Sequence, residues 1–563
     1  LFLGLFVARS QGSLALTVSG ADRLTADLTE SLELEPSAAI AIIAKKSIQI
    51  LKKGHECLGK PGDFRPLIVH HYKGKDYLYF QRYHLARSMI ARQIVKLSEQ
   101  PARQLPRPEE IQEIFNGFPY TDIQKLACLT GSTSSLTLIS GGPGSGKTTV
   151  IRALLQILGR SGFRPADIGI AAPTARAADR IRETLSEDDT SAQITCSTIH
   201  RMLGFGRQGY RYHARFPLRY RHIIIDETSM LDVILLSDLL SAVDPMRTAL
   251  TFLGDPDQLP SVQAGTVLSD LMEIGGAGTT SLRKETASQI QSVFPEAKNL
   301  IGKRGPDAII LAGSHRSRQG IVRLAGWVHE EAKGERPESA EVHFLNGMST
   351  EEAVQSFMAQ HFAEPWLETV VRISRLTTTE ALRAPEMSTL FHILNNNRIL
   401  TLTHKGPSGL ENINQLCRRW VQQKLKGRMR YVCGFPVMML RNDYALELYN
   451  GDPGILLYLG GQEQIVFAQE TGFRSLPAQD LILYSLSFAH TVHKAQGSEY
   501  DTVLFCLPDR KVRNLQRDLV YTAITRAQNQ LFIHGPEGML EEAARTRNYR
   551  QSGPPLHSFT ETG

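Results

Sequence analysis

The run Gly141-Gly142-Pro143-Gly144-Ser145-Gly146-Lys147-Thr148-Thr149 contains the spacing G-x-x-x-x-G-K-[ST]. Its residue types suit phosphate chemistry. Glycines let backbone N–H groups approach an anion, and a helix opening at the end of the loop adds partial positive charge. Lys147 would reach the β and γ phosphates of a nucleotide, and the Thr148 hydroxyl would meet Mg²⁺. Downstream, Ile223-Ile224-Ile225-Asp226-Glu227 is an apolar strand ending in two carboxylates. Alone, such a pair is more often a solvated strand end. Following Lys147, it reads as a further Mg²⁺ ligand, Asp226, beside a residue that orients the attacking water, Glu227. The implied cofactors are ATP and Mg²⁺, and the implied chemistry is hydrolysis rather than passive phosphate binding.

These residues need a scaffold that ends its strands at one edge. From Leu136 onward the pattern is one of apolar strands, each followed by a turn and a helical stretch, as in a parallel α/β sheet with ligands at the strand ends. Leu136 to Ile139, Ile168 to Ala171, His222 to Ile225 and Ala249 to Phe252 are candidate buried strands, and Thr149 to Leu158 is helical. A later set, Ile399 to Thr403, Thr502 to Leu507 and Gln530 to Ile533, predicts a second α/β unit. Between the sets, about 275 to 308, a Gly-rich and then polar stretch reads as an insertion or interdomain connection. Upstream, helical patterns flank the strand-like Tyr77-Leu78-Tyr79-Phe80, with a periodic run from Leu85 to Leu97.

Composition bounds the rest. A chain of 563 residues with 42% hydrophobic and 21% charged residues is globular and long enough for several packed units. Its net charge of +6 suits an anionic partner without demanding one. Six cysteines scattered without C-x-x-C spacing argue against a zinc site or a disulfide framework and fit a reducing cytoplasm. No apolar run approaches the roughly 18 residues a membrane span requires, so no membrane partner is expected.

Further segments narrow the class. Leu253-Gly254-Asp255-Pro256-Asp257-Gln258-Leu259-Pro260-Ser261 resembles motif III of superfamily 1 helicases, with Gln258 as the γ-phosphate sensor. Ser314-His315-Arg316-Ser317 resembles motif IV, Thr491 to Glu499 motif V, and Val520 to Ala527 motif VI, all in that family's order. Tyr120 to Ala127 is similar to the segment that reads adenine, with Gln124 pairing to the base; a helix cap at Thr121 or Asp122 followed by an ordinary exposed Gln explains the same residues. Gly406-Pro407-Ser408-Gly409 with Asn414, and Arg441 to Tyr444 with Asn450 to Gly454, resemble segments of the RecD branch of that superfamily.

This resemblance covers about residues 116 to 553. It implies an α/β fold of two RecA-like P-loop NTPase domains, with a helical N-terminal domain and a small SH3-like β insertion. The expected boundaries are 1–115 for the partner-docking domain and 116–275 for the first RecA-like domain. The variable insertion or linker is 276–310, the second RecA-like domain is 311–440 with 484–563, and the β insertion is 441–483. It implies that Arg316 and Arg526 act as arginine fingers, and that Gly497 and Glu499 belong to the nucleotide site. It also implies DNA contacts at Pro173, Thr174, Arg176, Thr198, His200, Asn450, Thr491 and His493.

The family moves 5′ to 3′ on single-stranded DNA. The expected partners are therefore single-stranded and duplex-end DNA, with RecB-like and RecC-like subunits in a bacterial cytoplasmic heterotrimer. Gly206 to Arg221 interleaves Arg207, Arg211, Arg215, Arg219 and Arg221 with Tyr210, Tyr212, Phe216 and Tyr220. In the family a strand-separating, pin-like hairpin stands there, at about 205–221; a solvated basic hairpin with its aromatics on the core is the other reading. A stand-alone helicase of the same type would share every catalytic residue.

Overall fold

The computed structural model describes residues 5, 8–9, 12–18, 49, 55–185, 193–206, 209–261, 265–274, 279–311, 318–429, 431–441, 443, 445–469, 472–481, 483–512, 515–546 and 553–560. The chain forms two compact units, Leu1–His315 with Tyr549–Gly563, and Arg316–Asn548.

An eight-stranded sheet organises the first unit. Its order is Lys303–Arg304, Ser281–Leu282, Ala308–Leu311, Leu136–Gly141, Ala249–Gly254, His222–Ile225, Ile168–Ala172 and Thr195–Thr198. All pairings are parallel except that of Ser281 with Ala308. The central strands are apolar throughout because both faces are covered. Ile223 and Ile225 face one core, with Leu239 and Phe252; Ile224 faces the other, with Ile151 and Leu154 of the helix Lys147–Arg160. That alternation is the two-residue period of a strand applied to a sheet with two buried faces.

Residues 276–310, expected to be a variable insertion or linker, supply three strands of this sheet instead. Two are only two residues long, and polar contacts rather than an apolar run hold the segment. Buried Asp307 accepts from the Arg283 backbone N–H (2.8 Å) and Nε (2.8 Å), and from the hydroxyls of Ser134 (2.6 Å) and Thr286 (3.0 Å).

The N-terminal region also differs from a separate domain. Its sheet, in the order Ala15–Val18, Lys75–Phe80, Leu67–Tyr72, Leu58–Gly59, leads into the helix Gln81–Ser98. This helix buries Ile90, Ile94 and Leu97 in the same core as Leu239 and Phe252. Each such side chain contributes roughly 1.5–3 kcal/mol. The C-terminal turn Leu556–Phe559 packs there too, although 549–563 was expected with the second domain.

In the second unit, a parallel sheet runs Val342–Phe344, Ala527–His534, Tyr500–Cys506, Asn397–Thr401, Ala489–Thr491. An antiparallel sheet runs Gly472–Pro477, Gln462–Gln469, Pro453–Leu459, Phe435–Met439, Tyr484–Leu486. Two of its strands, Phe435–Met439 and Tyr484–Leu486, lie beyond the expected 441–483, because Phe435–Met439 is a fully buried run without the alternation of a half-exposed strand.

Candidate nucleotide site and nucleic-acid contacts

The strand Leu136–Gly141 runs into the Gly-rich loop, and the helix Lys147–Arg160 opens directly after it. Gly146 caps that helix in the left-handed region (φ 88°), where a side chain is strained. A Cβ at Gly146 would also collide with the Gln124 amide, and one at Gly141 would collide with Ser145. Both ends of the loop thus require glycine. Inside it the Ser145 hydroxyl is buried and has no hydrogen-bond partner among the described residues. Lys147 Nζ donates to the carbonyls of Gly141 (2.5 Å) and Gly142 (3.2 Å), so its ammonium is held over the loop.

Asp226 leaves the end of His222–Ile225, and its Oδ1 accepts the Glu227 N–H at 2.8 Å. Glu227 itself sits at φ 52°, a left-handed conformation uncommon for a side-chain-bearing residue. Burial raises the Asp226 pKa, and the Glu227 charge adds to that; Lys147 pulls the other way. On the adjacent strand end, Asp255 is buried as well, and burial pushes its carboxyl up to about 6 against the attraction of Lys147. Gln258, also buried, donates from Nε2 to Asp255 Oδ2 at 3.2 Å. The parallel register therefore sets two carboxylates on neighbouring strand ends, both in the field of one ammonium. Asp255 was not among the candidate residues; its signal is its place directly after the strand Ala249–Gly254.

The site's chemistry fits a nucleotide and its cation. A glycine cradle, an unsatisfied hydroxyl, a lysine, the Thr148 hydroxyl and the Asp226 carboxylate are the donor set such a group needs. Gln124 is placed differently from an exposed cap residue. It is buried; its Oε1 takes the Thr121 N–H (3.1 Å) and its Nε2 donates to the Ser145 carbonyl (3.1 Å). Pro143, Gly144 and Thr149 complete the loop and first turn.

Of the expected nucleic-acid contacts in the first unit, Pro173 and Thr174 join the strand Ile168–Ala172 to the helix Ala175–Leu185, and Arg176 lies in its first turn. Thr198 caps the turn Ile199–Met202 by accepting the Arg201 N–H at 3.2 Å. His200 is exposed on that turn, with its ring 5.8 Å from Phe205 and 6.1 Å from Tyr210. Phe205–Gly206 and Gly209–Tyr210 form the hairpin, and Phe205 is 60% exposed. Tyr210, Tyr212 and Tyr220 pack on the core, while Tyr212 stacks on exposed Phe216 at 5.4 Å. Both readings of this segment thus have residues: some rings serve the core and others face solvent. Arg207 lies outside the described residues.

In the second unit, Thr491 ends the strand Ala489–Thr491, and His493 follows in the turn Val492–Ala495. Asn414 anchors that strand by accepting the Ala489 N–H at 3.0 Å. Asn450 is exposed beside Gly451, which has φ 100°. Gly497 takes φ 74°, and Glu499 accepts from Gln528 Nε2 at 2.8 Å. Arg526 is fully buried within its own unit, donating to Ser498 O (2.9 Å) and Thr522 O (3.1 Å). Arg316 and the rest of the segment 314–317 lie outside the described residues. Among those residues, no helix is long and apolar enough to cross a membrane.

Residues 124–264 match an AAA domain family, and 486–534 match the UvrD-like helicase C-terminal domain. Over 502 residues the chain is 29% identical to the RecBCD enzyme subunit RecD of Mycolicibacterium smegmatis, covering 85% of this chain and 81% of that protein. The corresponding subunit of Haemophilus influenzae is 29% identical over 473 residues, 77% of this chain and 72% of that one. The ATP-dependent RecD2 DNA helicase of Deinococcus radiodurans is 30% identical over 424 residues, 74% of this chain and 49% of that protein. A solved structure, Pif1 helicase from Candida albicans, overlaps 79% of this chain and 99% of its own at 16% identity and a TM-score of 0.39.

Proposed function

The chain belongs to the RecD-like superfamily 1 helicases, and on that footing we propose that it travels 5′ to 3′ along single-stranded DNA as the motor subunit of a RecBCD-like helicase–nuclease in double-strand break repair. It is an ATP-dependent DNA helicase of the RecD type. The observation that carries the reading is the site itself: Lys147 over its glycine loop, with Asp226 and Asp255 on adjacent strand ends.

Thr148 and Asp226 would hold Mg²⁺, which would supply charge neutralisation at the transferring phosphoryl group. Lys147 gives a fixed positive charge at the β and γ phosphates. Glu227, held by its backbone turn beside Asp226, orients the attacking water. Gln258, tied to Asp255, is placed to report on the terminal phosphate. Pro173, Thr174, Arg176 and Thr198 in one unit, and Asn450, Thr491 and His493 in the other, are proposed to hold sugar and phosphate. Exposed His200 and Phe205, backed by the half-buried Tyr210, offer rings for base stacking.

A RecC-like partner is proposed to dock on the N-terminal region, where Leu85 and Val95 of the helix Gln81–Ser98 and Phe64 stand exposed. The nuclease centre would belong to a RecB-like partner. A stand-alone helicase is the second reading, favoured by the 30% identity to the RecD2 protein.

Unwinding of duplexes with either a 5′ or a 3′ single-stranded tail, by the wild type and by Lys147→Gln, tests this. Opening only from the 5′ tail, lost in Lys147→Gln, is expected. A need for RecB-like and RecC-like partners selects the subunit; opening from the 3′ tail overturns the assignment.

A further inference from the structure

The segment from 418 to 431 of the second unit has a composition that the motor does not use. Arg418, Arg419, Lys424, Lys426, Arg428 and Arg430 stand within it without a single carboxylate. The five that are described are exposed, and none forms an ion pair with a described carboxylate. The Arg418 guanidinium lies over Phe435 at 5.6 Å, and the Lys424 ammonium over Trp420 at 5.9 Å, so aromatic faces hold these two charged heads at the surface. At the end of the run Tyr431 is 48% exposed and stacks on Tyr458 with 4.4 Å between centroids and 21° between planes. The Tyr458 hydroxyl donates to Gly461 O at 2.7 Å, which fixes the lower ring.

The place of this group separates it from the proposed DNA contacts. The helix Leu410–Leu425 starts at the Thr401 and Thr491 end of the parallel sheet, where Leu410 N–H donates to Thr403 O. It then runs back for about 22 Å, at 1.5 Å per residue. Lys424, Lys426 and Arg428 therefore stand at the opposite end of the sheet from Thr491. Cations at a helix C-terminus do offset its dipole, but that effect dies within the last turn and accounts for Lys424 alone.

We propose that Lys424, Lys426, Arg428 and Tyr431 form a second binding surface for single-stranded nucleic acid, outside the motor's own contacts, with the cations on phosphates and a base against the exposed ring of Tyr431. An acidic protein segment would satisfy the charges but leave the rigid, half-exposed ring pair without use. A base has a π-face for it.

The test is ultraviolet cross-linking of a 5-iodouracil oligonucleotide to the full chain without ATP, with the attached peptide mapped by mass spectrometry, beside equilibrium binding of short and long single strands. Attachment at Tyr431 is expected. Tyr431→Ala should weaken binding of the long strand about tenfold, Tyr431→Phe should restore it, and the triple variant K424E/K426E/R428E should lower the salt slope by about 2. ATP turnover stimulated by the short strand should be unchanged in all three. Because the cross-link needs no hydrolysis, it is read separately from failure of the motor assignment. Long-strand affinity that is the same in Tyr431→Ala and wild type, or an acidic peptide competing while DNA does not attach, overturns the proposal.

Discussion

The Gln124 side-chain amide donates to the Ser145 carbonyl across 3.1 Å, tying the cap of the helix Asp122–Thr133 to the phosphate loop. With its oxygen engaged by Thr121, the amide works on the shape of the loop. Gln124→Ala removes one buried hydrogen bond and leaves the Ser145 carbonyl without it, which is worth about 1 kcal/mol or somewhat more. Affinity for ATP and for GTP should fall alike, by about three- to tenfold, in fluorescence titrations. If ATP binding alone weakens, Gln124 reads the adenine edge.

Asp255 gives a pH signature. Burial raises its carboxyl to about 6, from 3.8 when unfolded. Between pH 4 and 6 the folded chain therefore binds the proton more tightly than the unfolded chain, so stability from this group declines as pH rises through that window. Above pH 6 the cost of the buried charge is fully present. Asp255→Asn should stabilise the nucleotide-free protein by about 2–3 kcal/mol at pH 7.5, with the gain shrinking toward pH 4.5. Thermal unfolding at both pH values checks this; an equal effect at the two would mean that the charge is not what Asn removes.

The elements that carry the nucleotide site are legible because their signals are local. The glycines at fixed spacing form one short run, and the apolar Ile223-Ile224-Ile225 with the carboxylates directly after it form another, so each signal is contained within a few residues. What escapes is long-range and polar. Nothing near Ser281 announces a strand, because the partner that organises it, Asp307, acts through Arg283, Thr286 and distant Ser134. Likewise Arg87 reaches Asp270 (2.6 Å) and the Pro554 carbonyl (2.8 Å), so the N-terminal helix and the C-terminal segment join one core through contacts that no periodicity encodes.

Asp307 should be costly to remove. Its side chain is fully buried, and Asp307→Ala leaves the Arg283 guanidinium without its carboxylate and the Thr286 hydroxyl without its acceptor, a loss of about 3–5 kcal/mol. Limited proteolysis within 279–311 should accelerate, and the urea midpoint should fall. Asp307→Asn, whose single amide oxygen can still accept from Arg283 Nε and Thr286 while the Arg283 N–H loses its acceptor, should lose less. A change below about 1 kcal/mol in the alanine variant would show that the segment is held by its apolar residues instead.

The C-terminal turn rests on a pair of buried histidines. His70 Nδ1 and His84 Nε2 are 3.2 Å apart, and the Phe559 ring lies 4.5 Å and 5.3 Å from theirs, beneath the Arg87 guanidinium at 5.1 Å. Burial lowers both imidazoles, His84 to about 4, and Arg87 disfavours a further positive charge at each. Both are therefore neutral in the fold, whereas the unfolded chain takes up protons near 6.5. The stability they contribute is complete above that value and is lost as pH falls from 6.5 toward 4. Acidification from pH 7 to 5 should raise hydrogen exchange in residues 553–560 beyond the intrinsic change, and Phe559→Ala should do so at neutral pH by opening a cavity. In His84→Gln, whose amide stays neutral and can still donate to His70, the acid-induced part should shrink. Exchange in 553–560 that follows only the intrinsic pH dependence would remove the histidine pair from the account of how the C-terminal segment is held.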